Sequence, residues 1–270
     1  MAAPPNAWRT DASRRTPRVR LARGVAPEPL GLGADLHALG LDTPAPVLIL
    51  VGGAANLDIA TGYALSPLLA DLAPRLEALG AAVIDGGTAF GVMTLMGAAR
   101  RGSGARFPLI GVAPRGAVTL LDDCGGDEDR MVAALDIDKA RLDANHSHFL
   151  LTPGARWGDE SPWIIALAER IAAGRPTLML VVGGGAITAL DVRARLRAGG
   201  RVLVLAGSGG TADRLAAWRR DGSSGAALDL NGWPAGETDA GTALQALVEV
   251  LDLRDAPAHL PDLIARALAS

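Results

Sequence analysis

The chain has 270 residues, a formal net charge of −3, 49% apolar residues and a single cysteine, Cys124. The near-neutral balance argues against a general nucleic-acid binder, and one cysteine excludes an internal disulfide or a cysteine-rich metal site. The apolar runs are too short and glycine-broken to span a membrane, and Met1 to Arg9 carries no hydrophobic signal core, which suits a cytoplasmic protein.

Residues 1–16 are polar and proline-containing and read as a disordered arm. Val19–Ala22 fits an edge strand, and Leu30–Leu39 a short helix ended by Gly40. Val47–Val51 is a buried strand running into Gly52-Gly53-Ala54. Pro67–Ala78 has helical spacing in Leu68, Leu69, Leu72 and Leu76, with Pro74 kinking it unless the helix begins nearby. Strand Ala81–Asp85 leads through Gly86-Gly87-Thr88 into a helix over Phe90–Arg100. Leu109–Ala113 is the next strand, closed by Pro114-Arg115-Gly116. Residues 114–147 form a long acidic connection, and His148–Leu151 is a short strand. Ser161–Ala173 alternates at helical period, with Ser161 as N-cap and Pro162 in the first turn. Leu178–Val182 runs into Gly183-Gly184-Gly185 and a helix over Ala186–Ala198. Val202–Ala206 runs into Gly207-Ser208-Gly209-Gly210 and a helix from Thr211. Thr242–Leu251 and Leu260–Leu268 are amphipathic helices.

Repeated strand–turn–helix units predict an α/β fold: a Rossmann-like open, mostly parallel sheet with helices on both faces. Residues 17–220 are expected to form that domain, and 221–270 to add helices that pack on it or at an oligomer contact. Strand ends of a parallel sheet share one edge, and ligands bind outside that edge. Glycine there lets backbone approach a ligand, and the following helix points free N–H groups at it. Four glycine turns are thus either converging parts of one phosphate-binding crevice or ordinary closures of short connections.

Several residues carry two readings each. Asp85 at a strand end either meets a ribose hydroxyl or caps its own turn. Thr88 and Ser208 place hydroxyls in anion-compatible turns. Asp213 either supports its helix dipole or accepts from a ligand. Asp159 and Glu160 precede a helix, where carboxylates serve in capping or in acid–base work. Trp157 and Trp163 flank that pair and either stack on a base or pack inside. His146 and His148 share a strand face, a spacing that suits a metal less well than structural hydrogen bonding, and no metal site is expected.

Six stretches carry a family resemblance: Leu48–Ala54, Ile84–Ala99, Leu109–Pro114, Leu142–Leu151, Val181–Gly185 and Leu205–Leu215. In this order they resemble the SLOG superfamily of Rossmann-like, Lonely Guy-related domains. Within it they are most similar to the free-standing prokaryotic form of the SLOG domain found in the N-terminal region of TRPM channels. The resemblance covers roughly residues 40–218. It implies a crevice for nucleotides or NAD-derived ligands of ADP-ribose type, with no further cofactor required. It also implies a homodimer or higher homo-oligomer.

By motif, the implied ligand-binding positions are Gly52, Gly53 and Ala54, then Gly86, Gly87, Thr88, Gly91 and Val92. Gly183 and Gly184, with Gly207, Ser208, Gly209 and Asp213, complete the set. Arg115 stands where the channel branch carries a tryptophan and is added as a partner for phosphate. The glutamates that follow the glycine-threonine motif of the hydrolase members are absent. Asp191 is the only acid there, and it falls out of register. The expected function is therefore that of a ligand-binding sensor without catalytic residues, with cleavage of an N-glycosidic or phosphate bond as the alternative.

Overall fold

A continuous apolar run such as Val47-Leu48-Ile49-Leu50-Val51 satisfies a strand covered on both faces, and the fold uses it that way. The computed structural model describes residues 17–22, 26–54, 57–119, 139–221 and 239–270. The expected arm over 1–16 lies outside the described residues.

Eight strands form one sheet: β1 (Arg18–Leu21), β2 (Val47–Gly52), β3 (Ala82–Asp85), β4 (Leu109–Pro114), β7 (His148–Thr152), β8 (Thr177–Val182), β9 (Val202–Ala206) and β10 (Val248–Asp252). Their order is β1-β7-β4-β3-β2-β8-β9-β10, and every neighbouring pair is parallel. Two short strands, β5 (Val118–Thr119) and β6 (Ala140–Arg141), pair separately.

Strand alternation divides the core into two layers. On one face Val47, Ile49 and Val51 meet α1 (Pro29–Leu39), α4 (Ser161–Ala172), α5 (Ala186–Arg197) and α6 (Gly210–Asp221). On the other, Leu48 and Leu50 meet α2 (Ile59–Ala78), α3 (Gly91–Gly102) and the last helix, α8 (Ala256–Ala269). Helices thus cover both faces of an open parallel sheet, which is a Rossmann-like α/β fold. No helix among the described residues is long and apolar enough to cross a membrane.

The chain starts its central sheet at β2, builds outward through β3 and β4 on one side, then crosses back to lay β8 and β9 on the other. The strand order reverses between β2 and β8. A parallel sheet opens a crevice at such a point, because the connections leave its two sides in opposite directions.

Three local expectations change. The pattern over Thr242–Leu251 divides into α7 (Asp239–Ala246) and β10, whose Val248–Asp252 pairs in register with Val202–Ala206. Helix α2 begins at Ile59, eight residues before Pro67, and holds both Pro67 and Pro74 inside it. Asp58 caps it by accepting from the Thr61 amide at 2.9 Å and hydroxyl at 2.6 Å, and Leu65, Leu69, Leu72 and Leu76 are fully buried. Each such leucine contributes about 2 kcal/mol, which offsets the hydrogen bonds the prolines remove. Ser161 is the first residue of α4 rather than its cap, with Glu160 in the cap position.

Candidate functional site

A crevice of about 460 Å³ opens at the β2–β8 switch. Gly52, Gly53 and Ala54 leave β2 along its floor. Gly86, Thr88, Phe90 and Met93 come from the β3–α3 connection, and Gly185, Ala186, Ile187, Thr188 and Asp191 from the start of α5. Trp157, Glu160 and Ile164 close the remaining wall.

The start of α5 is the part best suited to an anion. Its cap residue, Gly185, is extended and supplies no side-chain cap. First-turn amides have no partner inside a helix, and the first-turn residues Ala186, Ile187 and Thr188 all line the crevice. The dipole adds partial positive charge at the same end.

Of the positions implied by motif, Gly52, Gly53, Ala54, Gly86 and Thr88 line this crevice, and the others sit elsewhere. Gly87 has φ +69° and faces inward; a Cβ there would lie 2.7 Å from the Gly111 Cα and 2.9 Å from the Phe149 ring. Gly91, at φ +51°, lets α3 press against the Gly53 carbonyl, to which the Val92 amide donates at 3.2 Å. Val92 itself is buried in the core. Arg115 is half-buried in the single turn after β4 and does not reach the crevice lining.

The turns after β8 and β9 are stitched to each other. The Thr211 and Ala212 amides donate to the Gly184 and Gly183 carbonyls at 2.9 and 3.0 Å. The Gly183 amide donates to the Ser208 hydroxyl at 2.8 Å, and the Gly207 amide to Asp213 Oδ1 at 2.6 Å. Ser208 in turn donates to the Leu205 carbonyl. The Gly183 and Gly207 amides and the Ser208 hydroxyl are thus satisfied inside the fold, the Gly183, Gly184 and Gly209 carbonyls and Asp213 serve as acceptors in the same stitching, and none of these residues lines the crevice.

Below the β3 turn lies a buried charge cluster. Asp85 Oδ1 accepts from the Gly87 amide at 2.7 Å and from His146 Nε2 at 2.8 Å, so Asp85 caps its turn. Asp143 stands 3.8 Å from the other ring nitrogen. Burial opposes charge on His146, but the Asp85 and Asp143 carboxylates outweigh it and raise its pKa to about 9. The His146 ring stacks on Phe149. His148 lies apart from the cluster, with Nδ1 2.9 Å from the Ser147 hydroxyl.

Two carboxyls line the crevice itself. Glu160 accepts from the Gly158 amide at 2.7 Å, and burial raises its pKa. Asp191 accepts from the Ser161 hydroxyl at 2.5 Å. Burial lifts Asp191 to about 7, with the Ser161 bond opposing and the Glu160 charge adding to the rise. Asp159, by contrast, accepts from the Ala155 and Arg156 amides and holds the preceding loop. Sequence reasoning paired Asp159 with Glu160. The structure instead joins Glu160 to Asp191, 31 positions away, through the packing of α4 beside α5. Phe90 and Trp157 also line the crevice, 46% and 39% exposed, at positions where an aromatic is available to a ligand.

A family model described as "SLOG in TRPM, prokaryote" matches residues 45–260. No curated protein matches the chain. Among solved structures, the X-ray structure of TM1055, a Northeast Structural Genomics Consortium target, is 17% identical over 80% of this chain and 98% of that one, with a TM-score of 0.48.

Proposed function

The chain belongs to the prokaryotic SLOG-in-TRPM family, and we propose that it is a ligand-binding module for a nucleotide or NAD-derived molecule, the class that includes ADP-ribose. The observation that carries this reading is the uncapped start of α5, which opens into the crevice at the strand-order switch. A phosphate group meets unpartnered amides and the positive end of a helix there. The apolar wall of Ile164, Ile187, Phe90 and Trp157 suits the face of a base.

A second reading rests on Glu160 and Asp191. Burial raises the pKa of both carboxyls, Asp191 to about 7, toward the protonated form a general acid needs to protonate a leaving group. On that reading the crevice cleaves an N-glycosidic or phosphate bond of the bound nucleotide.

A thermal-shift series with ADP-ribose, cyclic ADP-ribose, NAD, AMP and ATP, each mixture then separated by chromatography, tests both readings. A ligand that binds only the folded chain raises the melting temperature by mass action. A shift with the ligand intact supports the binding module, and turnover supports the hydrolase. No shift and no product across the series overturns both.

A further inference from the structure

Buried carboxyls in this fold fall into two groups. The described residues include five: Asp35, Asp85, Asp143, Glu160 and Asp191. Asp35 is held by Arg20 at 2.8 Å, and Asp85 and Asp143 flank His146. Each of these three has a cationic partner, as a buried charge requires. Glu160 and Asp191 have none among the described residues. Their hydrogen bonds come from a backbone amide and a hydroxyl, and no Lys, Arg or His among the described residues stands in the crevice lining. The site therefore holds up to two negative charges, unmatched by any cation of the described chain, inside a cavity open to a ligand.

We propose that the crevice selects a nucleotide whose ring carries a fixed positive charge, such as a pyridinium mononucleotide, the ring lying against Glu160 and Asp191. This rests on the nucleotide reading above and adds the charge of the ring to it. Three features of the same cavity agree. Two unpaired carboxyls supply the charge complement that the rest of the fold gives its buried acids. Phe90 and Trp157 line the cavity, and an aromatic ring attracts a cation over its face. The start of α5 suits a single phosphate, while the described lining residues include no basic side chain to neutralise a longer phosphate chain. A flat organic cation fits this set better than a metal ion, because Glu160 and Asp191 have no third His, Cys, Asp or Glu beside them among the described lining residues.

The test compares two ligands that differ in ring charge and share a phosphate: nicotinamide mononucleotide and its 1,4-dihydro form, whose ring is neutral. Calorimetric titration of the full chain at pH 8 should show the oxidised form binding at least tenfold tighter. Glu160→Gln and Asp191→Asn, which keep the shape of each side chain, should each narrow that ratio. Affinity for the dihydro form should not fall in parallel, so that each substitution lowers the ratio rather than binding as a whole. Equal affinity for the two forms in the native chain, or tighter binding of the neutral one, overturns the inference and leaves the nucleotide reading standing. So does binding of AMP or ADP-ribose with neither pyridine nucleotide bound. Failure of every nucleotide to bind overturns the inference and the reading together.

Discussion

The turns after β8 and β9 both end a buried strand in a run of glycines and begin a helix, Gly183-Gly184-Gly185 into α5 and Gly207-Ser208-Gly209-Gly210 into α6. In the first, the helix start opens on the crevice. In the second, the Thr211 and Ala212 amides are bonded to the carbonyls of the first turn, and Asp213 closes its own loop on Gly207. The β9 turn buttresses the β8 turn, whose last residue, Gly185, leads into the helix start on the crevice. Glycine at a strand end marks where backbones meet closely. Whether it also marks a ligand depends on where the N–H groups already go.

The largest test of that difference is Gly210→Val. Gly210 has φ +53°, and a Cβ would lie 2.1 Å from the Gly184 carbonyl oxygen. Strain and overlap together should cost roughly 3–5 kcal/mol in urea unfolding. A fully stable variant would break the buttress assignment. Gly87→Val should behave similarly, because that glycine packs on Gly111 and Phe149 rather than on a ligand.

Next come the acids on the two helices. Asp191, early in α5, is buried on the crevice, whereas Asp213, early in α6, is exposed. The fold keeps Asp191 protonated up to about pH 7, against a reference value of 3.8. The folded state then holds an extra proton between those values. This contribution is full below about pH 4 and lost as pH rises through 7, by at most a few kcal/mol at about 1.4 kcal/mol per unit. Subtracting the profile of Asp191→Asn from the native one isolates it; a flat difference would contradict the burial argument. A histidine runs the other way. Burial, aided by Arg18 and Arg100, depresses His148 to about 4, so its contribution is present above pH 6.5 and lost as pH falls toward 4.

Gly185→Leu should leave stability within about 1 kcal/mol, since a Cβ there meets nothing within 4 Å. The side chain would nevertheless enter the crevice and weaken nucleotide binding at least tenfold. Unchanged affinity in calorimetry would move the ligand away from α5. The smallest effect belongs to Asp213→Ala, which removes the acceptor of the Gly207 amide and should cost about 1 kcal/mol with affinity unchanged.

The sheet was legible from apolar runs bounded by glycine, because strands buried on both faces leave that signature in the residues themselves. Strand β10 was not, since Val248–Asp252 directly follows a helical pattern and becomes a strand only by pairing with β9. Helix α2 was shortened at Pro67 because a proline inside a helix is locally unfavourable, and the Asp58 cap and the buried leucines outweigh it. In the crevice, Gly52, Gly53, Ala54, Gly86 and Thr88 are among the positions the family motifs imply, in turns that the strand–glycine pattern also marks. The meeting of Glu160 with Asp191 did not, because it is made by two helices brought side by side, and neither neighbourhood in the chain encodes the other.

Amide hydrogen exchange is the most direct test of the central claim, with and without whichever nucleotide of the series gives the largest thermal shift. The account predicts new protection at Ala186, Ile187 and Thr188 on α5, and none beyond any global stabilisation at Thr211 and Ala212 on α6. Ligand-specific protection at the start of α6 with none at α5 would contradict it.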